Sequence, residues 1–237
     1  MPLKIIAFDA DDTLWHNETL YHIAQDKFAR LLSKYISTQD LGEQLYQTET
    51  KNLAYFGYGI KSFTLSMIET AGLLTQGCIS TADILEIIGF AREMLDAPVE
   101  LLPQVHEVIS RLSAKYHLMI ITKGDLLDQN RKLERSGLAA YFDWVEVVSD
   151  KTSQVYSNLF SVHHILPEDF VMVGNSLRSD ILPVVALGAQ AIYIPYDLTW
   201  AHEHEIGHLS ALDGYFELAS IDFLPELIDS LHEIDNE

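Results

Sequence analysis

The apolar positions of the chain follow three rhythms. Leu3 to Phe8 is an apolar run, broken only by Lys4, that stops against a polar cluster, the pattern of a strand buried on both faces of a parallel sheet. From there to about residue 97 the apolar positions recur at helical spacing. In "NETLYHIAQDKFARLLSKYI", residues Leu20, Ile23, Ala24, Phe28, Leu31, Leu32 and Tyr35 share one stripe, as an amphipathic helix requires. Helices are also predicted over "TQDLGEQLYQTETKNLAYFG", "IKSFTLSMIETAGLL" and "STADILEIIGFAREMLD", the last with Ser80 or Thr81 as its N-cap. From Pro98 onward, short apolar runs alternate with helical patterns.

That alternation predicts five strands, at 3–8, 117–122, 144–148, 170–174 and 190–194, with helices between them, "SDILPVVALG" (179–188) among these, and one more at the end, "FLPELIDSLHEIDNE". Strands and helices in this order imply a parallel sheet covered on both faces. The expected fold is α/β: a Rossmann-like, doubly wound core formed by residues 1–15 and 98–237, with a small all-α subdomain at 16–97.

Composition narrows the partners. Lys and Arg number 15 against 35 Asp and Glu, a formal net charge of −20. Phosphate backbones are gripped by clustered Lys and Arg, so a nucleic-acid partner is not expected. A small phosphorylated substrate stays open, because a divalent metal can reverse the local field. The lone Cys78 forms no internal disulfide and suits a reducing compartment. No signal-peptide pattern opens the chain and no apolar run reaches the ~18 residues of a membrane span. The expectation is a soluble cytoplasmic protein, monomer or homodimer, with no membrane partner.

The chemistry gathers at the carboxyl ends of the predicted strands, which share one edge of a parallel sheet. Asp9, Asp11 and Asp12 follow the first strand, Thr122 ends the second, Lys151 lies past the third, and Asn175 and Asp180 follow the fourth. Two acids two residues apart repel each other unless something positive sits between them, and a metal ion is the expected answer.

The four segments "DADDT", "IITKGD", "SDKTSQVY" and "GNSLRSD" stand in the order of the four motifs of the haloacid dehalogenase-like (HAD) superfamily, which this chain resembles over residues 3–15 and about 98–195. The resemblance implies a Mg²⁺-dependent phosphohydrolase of a small phosphorylated metabolite. Asp9 is then the nucleophile that forms an aspartyl-phosphate, and Asp11 the acid and base serving the leaving oxygen and water. Thr122 binds the phosphoryl oxygens and Lys151 neutralises charge. Asp9, the Asp11 carbonyl, Asn175 and Asp180 hold Mg²⁺. Family members that dehalogenate 2-haloacids carry an aromatic residue two places after the nucleophile, so Asp11 favours phosphate esters. The other open functions are that dehalogenation and a non-catalytic phosphate-binding module.

The chain departs from the family pattern at three places. Asp12 replaces a common glycine, either adding a third carboxylate or turning away to cap a local turn. Asn175 replaces a commonly acidic ligand, and its amide oxygen can ligate only without charge. Thr152 and Gln154 stand where prolines often follow the motif lysine, and Lys123 is a rival phosphate-facing cation or else a solvated or paired one.

Asp9 and Thr122 are 113 residues apart but Thr122 and Lys151 only 29, so the helical insert falls between the first two motifs. The resemblance implies a cap that closes over the site and selects the substrate. Within it "YFGYGIKSF" either forms a packed corner between two helices or reaches the leaving group through Tyr58 or Lys61. One competing signal remains. His204-Glu205-Ile206-Gly207-His208 matches the HExxH zinc-peptidase pattern, although Gly207 weakens the helix that such a site needs.

Overall fold

The computed structural model describes residues 3–198, 200 and 213–234. Among them, six strands form one parallel sheet: β1 (Ile5–Phe8), β2 (His117–Lys123), β3 (Trp144–Val148), β4 (Phe170–Gly174), β5 (Gln190–Tyr193) and β6 (Tyr215–Glu217). Their spatial order is β3-β2-β1-β4-β5-β6. The chain therefore starts mid-sheet and winds outward in both directions, which opens a crevice at the carboxyl end of β1. Register keeps that edge level, with Phe8 opposite both Ile120 and Val173.

Side chains alternate across each strand, so the continuous apolar runs serve two cores. Ile6, Phe8, Leu118, Ile120, Val171 and Val173 point to one face, under α5 (Val105–Ser113), part of α6 (Leu126–Ser136) and α9 (Leu224–Ile234). Ala7, Met119, Ile121, Phe170 and Met172 point to the other, under α7 (Ser153–His163) and α8 (Leu182–Val185).

The chain separates into two compact units. One comprises Met1–His16, Val99–Lys123 and Gln129–Glu237, and the other Asn17–Pro98 with Gly124–Asp128. The second is helical: α1 (Glu18–Leu32), α2 (Leu41–Phe56), α3 (Ile60–Leu74) and α4 (Thr81–Asp96). Its own core is built from Phe28, Leu32, Leu45, Phe63, Met67 and Ile87. Ser80 caps α4 by accepting from the Asp83 N–H.

The structure differs from the sequence reading at two elements. β6 was not anticipated. Residues 179–188, expected as one helix, form a π-helical turn over Leu177–Ile181 followed by the short α8. Pro183 is the reason, since its ring lacks an N–H and collides with the carbonyl four residues back in a continuous helix. No helix among the described residues is long and apolar enough to cross a membrane.

Candidate active site

The loop that leaves β1 folds back on itself. The Leu14 N–H donates to the Ala10 carbonyl at 2.8 Å and the Asp12 N–H to the Trp15 carbonyl at 2.8 Å. Asp12 takes a left-handed conformation with φ 63°. Asp tolerates that region better than most residues and glycine best, which accounts for a common glycine here. The turn leaves Asp9 and Asp11 on the sheet edge with different surroundings.

Asp9 faces Lys151. The ammonium donates to Asp9 Oδ1 at 2.5 Å and to Asp180 Oδ1 at 2.7 Å, all three side chains being buried. Three ionisable side chains from beyond three strand ends thus meet in one buried cluster. Burial works against the Lys151 ammonium, but Asp180 and Asp9 outweigh it and hold its pKa raised. The Asp180 carboxyl is pushed up to about 7, by burial first, while Lys151 pulls it down and the like charge of Asp9 adds to the rise. Asp180 Oδ2 also accepts the Ser176 N–H at 3.0 Å. The π-helical turn that carries Asp180 wraps tightly against Gly174, where an added Cβ would lie 2.3 Å from Asp180 Oδ2. Only glycine fits under that carboxylate.

Thr13 joins the first and fourth strand ends. Its hydroxyl lies 3.0 Å from Asp9 Oδ2 and 3.2 Å from Asn175 Oδ1. One hydroxyl proton serves one acceptor at a time, so an oxygen lone pair is left for another electrophile. The oxygens around it are carboxylate and amide oxygens, the hard donors that suit Mg²⁺. Among the described residues no cluster of three His, Cys, Asp or Glu side chains encloses a metal. A Mg²⁺ ion here therefore fits only as an open site completed by amide, backbone and water oxygens, which is its ordinary habit.

Asp11 points to different partners. It accepts from Trp15 Nε1 at 2.7 Å, Gln129 Nε2 at 2.8 Å and Lys132 Nζ at 3.0 and 3.1 Å. Thr122 is buried, and its Oγ makes only a long 3.4 Å contact with its neighbour's carbonyl, which leaves a hydroxyl at the edge. Lys123 donates to Ser179 Oγ at 2.8 Å, across the edge to the π-helical turn. A cleft of about 360 Å³ opens beside Lys151, between the 150–153 turn and the 178–183 turn, with Arg178 and Ser179 in its wall.

The structure thus brings together Asp9, Lys151, Asn175 and Asp180, with Thr122, Lys123 and Asp11 on strand ends of the same unit. Tyr58 and Lys61 belong to the helical unit, where Lys61 Nζ donates to Asp125 Oδ2 at 2.8 Å and holds that carboxyl below its usual range. The HExxH-like segment 204–208 lies outside the described residues. Thr13, Gln129, Lys132, Ser176 and Ser179 were not singled out as site residues from the sequence. Thr13 lies within the first motif, and the two serines within the fourth, so proximity was a signal for these three. Gln129 and Lys132 sit in an ordinary polar helix and carry none.

Residues 3–188 match the family model described as haloacid dehalogenase-like hydrolase. A haloacid dehalogenase-like family hydrolase from Xanthomonas campestris, of known crystal structure, is 39% identical, with a TM-score of 0.88 and 98% of this chain and 93% of that one covered. A 2-haloacid dehalogenase from Pseudomonas syringae pv. Tomato DC3000 shares the fold at 19% identity and a TM-score of 0.64, with 96% and 99% covered. Among curated relatives, N-acylneuraminate-9-phosphatase from Homo sapiens is 26% identical over 133 residues, 54% of this chain and 51% of the relative. Glyceraldehyde 3-phosphate phosphatase from Methanothermobacter thermautotrophicus is 33% identical over 105 residues, 42% of this chain and 46% of the relative. The match to this chain spans about half the length of each curated relative.

Proposed function

Because this chain belongs to the haloacid dehalogenase-like hydrolases, we propose that it is a phosphohydrolase acting on a small phosphorylated metabolite through an aspartyl-phosphate. The observation that carries the reading is Lys151, held between Asp9 and Asp180 at 2.5 and 2.7 Å. A carboxylate attacks phosphorus only if its charge is managed against the phosphoryl oxygens, and a buried ammonium does that without reorganising.

An Asp9 oxygen attacks phosphorus as the ester oxygen departs, and Asp11 supplies the proton that oxygen needs. Water then attacks the acyl phosphate, giving its proton to Asp11, and inorganic phosphate leaves with Asp9 regenerated. The Thr122 hydroxyl orients the phosphoryl group, and Lys151 balances the charge on its oxygens. Asp9, the Asp11 carbonyl, Asn175 and Asp180 would hold Mg²⁺, which would supply further charge neutralisation. The names of both curated relatives are those of phosphatases of small phosphorylated compounds, which supports the substrate class.

The test is hydrolysis of p-nitrophenyl phosphate, followed by a panel of phosphorylated metabolites, with Mg²⁺ and with chelator. Turnover should require Mg²⁺ and vanish in Asp9→Asn. Turnover that survives in Asp9→Asn would overturn the reading.

A further inference from the structure

We propose that Gln129 and Lys132, neighbours three residues apart on α6, are positioning residues that fix the Asp11 carboxylate for its proton transfers. The inference rests on the phosphohydrolase reading above. An aspartate on a turn rotates about two side-chain bonds, and proton transfer demands that its oxygen be placed closely. A displacement of about 1 Å can cost about 10²-fold in rate. Here both oxygens are engaged. Oδ1 accepts from Trp15 and Lys132, and Oδ2 from Gln129 and Lys132, all between 2.7 and 3.1 Å. Trp15 belongs to the same turn. Gln129 and Lys132 come from 118 and 121 residues further along the chain, so α6 is what anchors the turn's acid to the sheet.

A second observation points the same way. Gln129 is 4% exposed, and its Nε2 bridges Asp11 Oδ2 and the Lys123 carbonyl, the latter at 2.9 Å. Two acceptors fix the amide's orientation, because a flip would set Oε1 against a carboxylate and a carbonyl. Oε1 is thereby left buried with no hydrogen-bond partner. An unpartnered buried acceptor lowers stability, which offsets part of what the two bonds donated by Nε2 contribute. Net stability is therefore a weak reason for a glutamine at this position. Its amide N–H groups tie the acid to the end of β2, next to Thr122.

The experiment compares phenyl phosphate with p-nitrophenyl phosphate, esters of nearly the same size. Phenol is a much poorer leaving group than nitrophenol and depends more on protonation. In Gln129→Leu and Lys132→Met, the ratio of kcat/KM on phenyl phosphate to kcat/KM on p-nitrophenyl phosphate, which reports the ester-cleaving step, should fall about tenfold or more. General acids contribute about 10²–10⁴-fold, which sets the scale. Asp11→Asn should move the ratio in the same direction, and Lys132→Arg should largely restore it. KM should change little, and the melting temperature of Gln129→Leu should stay close to that of the unaltered protein. An unchanged ratio, or equal losses on both esters with a lowered melting temperature, overturns the inference and leaves the phosphohydrolase reading standing. Failure of the unaltered protein to hydrolyse either ester overturns both.

Discussion

Lys151 in the α/β unit and Asn52 in the helical unit are both 3% exposed. Asn52 lies between α2 and α3, donating to Ser66 Oγ at 3.1 Å and Glu69 Oε2 at 2.9 Å. Lys151 lies between two buried carboxylates. Every partner of Asn52 has another recourse: Ser66 donates its own proton to the Ser62 carbonyl, and Glu69 reaches solvent and Lys51. Asp9 and Asp180 have fewer, because both are buried, Asp9 keeps only the Thr13 hydroxyl and Asp180 only a backbone N–H. Depth of burial is the same at the two positions. What differs is whether the neighbours can do without the buried group, and this separates polar residues that fill a helix interface from those that build a site.

The largest effects should come from breaking the charged cluster. Asp9→Asn removes the nucleophile but leaves an acceptor for Lys151, so turnover should fall to background, about 10³-fold or more, with stability little changed. Lys151→Met removes the cation that two buried carboxyl groups share, leaving Asp9 the Thr13 hydroxyl and Asp180 the Ser176 N–H. It should abolish turnover and also cost about 3–5 kcal/mol in urea unfolding. A Lys151→Met protein as stable as its parent would erase the contrast with Asn52.

Gly174→Ala tests the same cluster sterically. The new Cβ would meet Asp180 at 2.3–2.7 Å, and Asp180 cannot slide away without releasing Lys151 or the Ser176 N–H. The expected loss is about 1–3 kcal/mol, as for overpacked cores, with turnover reduced alongside. Thermal unfolding and p-nitrophenyl phosphate kinetics on one preparation would measure both.

The Asp180 carboxyl, raised to about 7 against an ordinary value of 3.8, makes the cluster pH-sensitive. Raised means that the folded chain holds this proton where the unfolded chain has released it. That stabilisation is fully present below the ordinary value and is lost as pH rises through about 7. In chelator the protein should therefore lose stability between pH 4 and pH 8. Asp180→Asn, which cannot titrate, should flatten the profile. Urea midpoints across that range for both proteins check the sign, and an unchanged slope in Asp180→Asn would assign the dependence to other groups.

Much of this cluster is legible in the sequence, for a physical reason. A parallel sheet buried on both faces writes its strands as apolar runs, and the polar residues that end or closely follow each run must lie on the common edge. Asp9, Thr122, Lys151 and Asn175 can be read that way. Gln129 and Lys132 cannot, because a helix shows polar residues to solvent and to a site with the same spacing. The π-helical turn at Leu177–Ile181 was hidden by helical periodicity that Pro183 contradicts in only one place. β6 is three residues long, too short for alternation to register. The orphaned Gln129 Oε1 is a property of packing that no linear pattern carries.

The smallest expected effect lies in the helical unit. Asn52→Leu removes two hydrogen bonds between α2 and α3 and leaves no partner stranded, since Ser66 keeps its bond to Ser62 and Glu69, with its side chain 35% exposed, keeps water. Leucine is close to asparagine in shape, and the buried face of α2 already carries Leu41 and Leu45. Lost hydrogen bonds of this kind are worth about 0.5–1.5 kcal/mol each, and burying leucine returns about 1.5–3 kcal/mol. The two terms nearly cancel, so the change in unfolding free energy should stay within about 1 kcal/mol of zero, in either direction. Turnover of p-nitrophenyl phosphate should follow the unaltered protein. A loss as large as that of Lys151→Met would show that the α2–α3 interface also depends on a group its neighbours cannot replace.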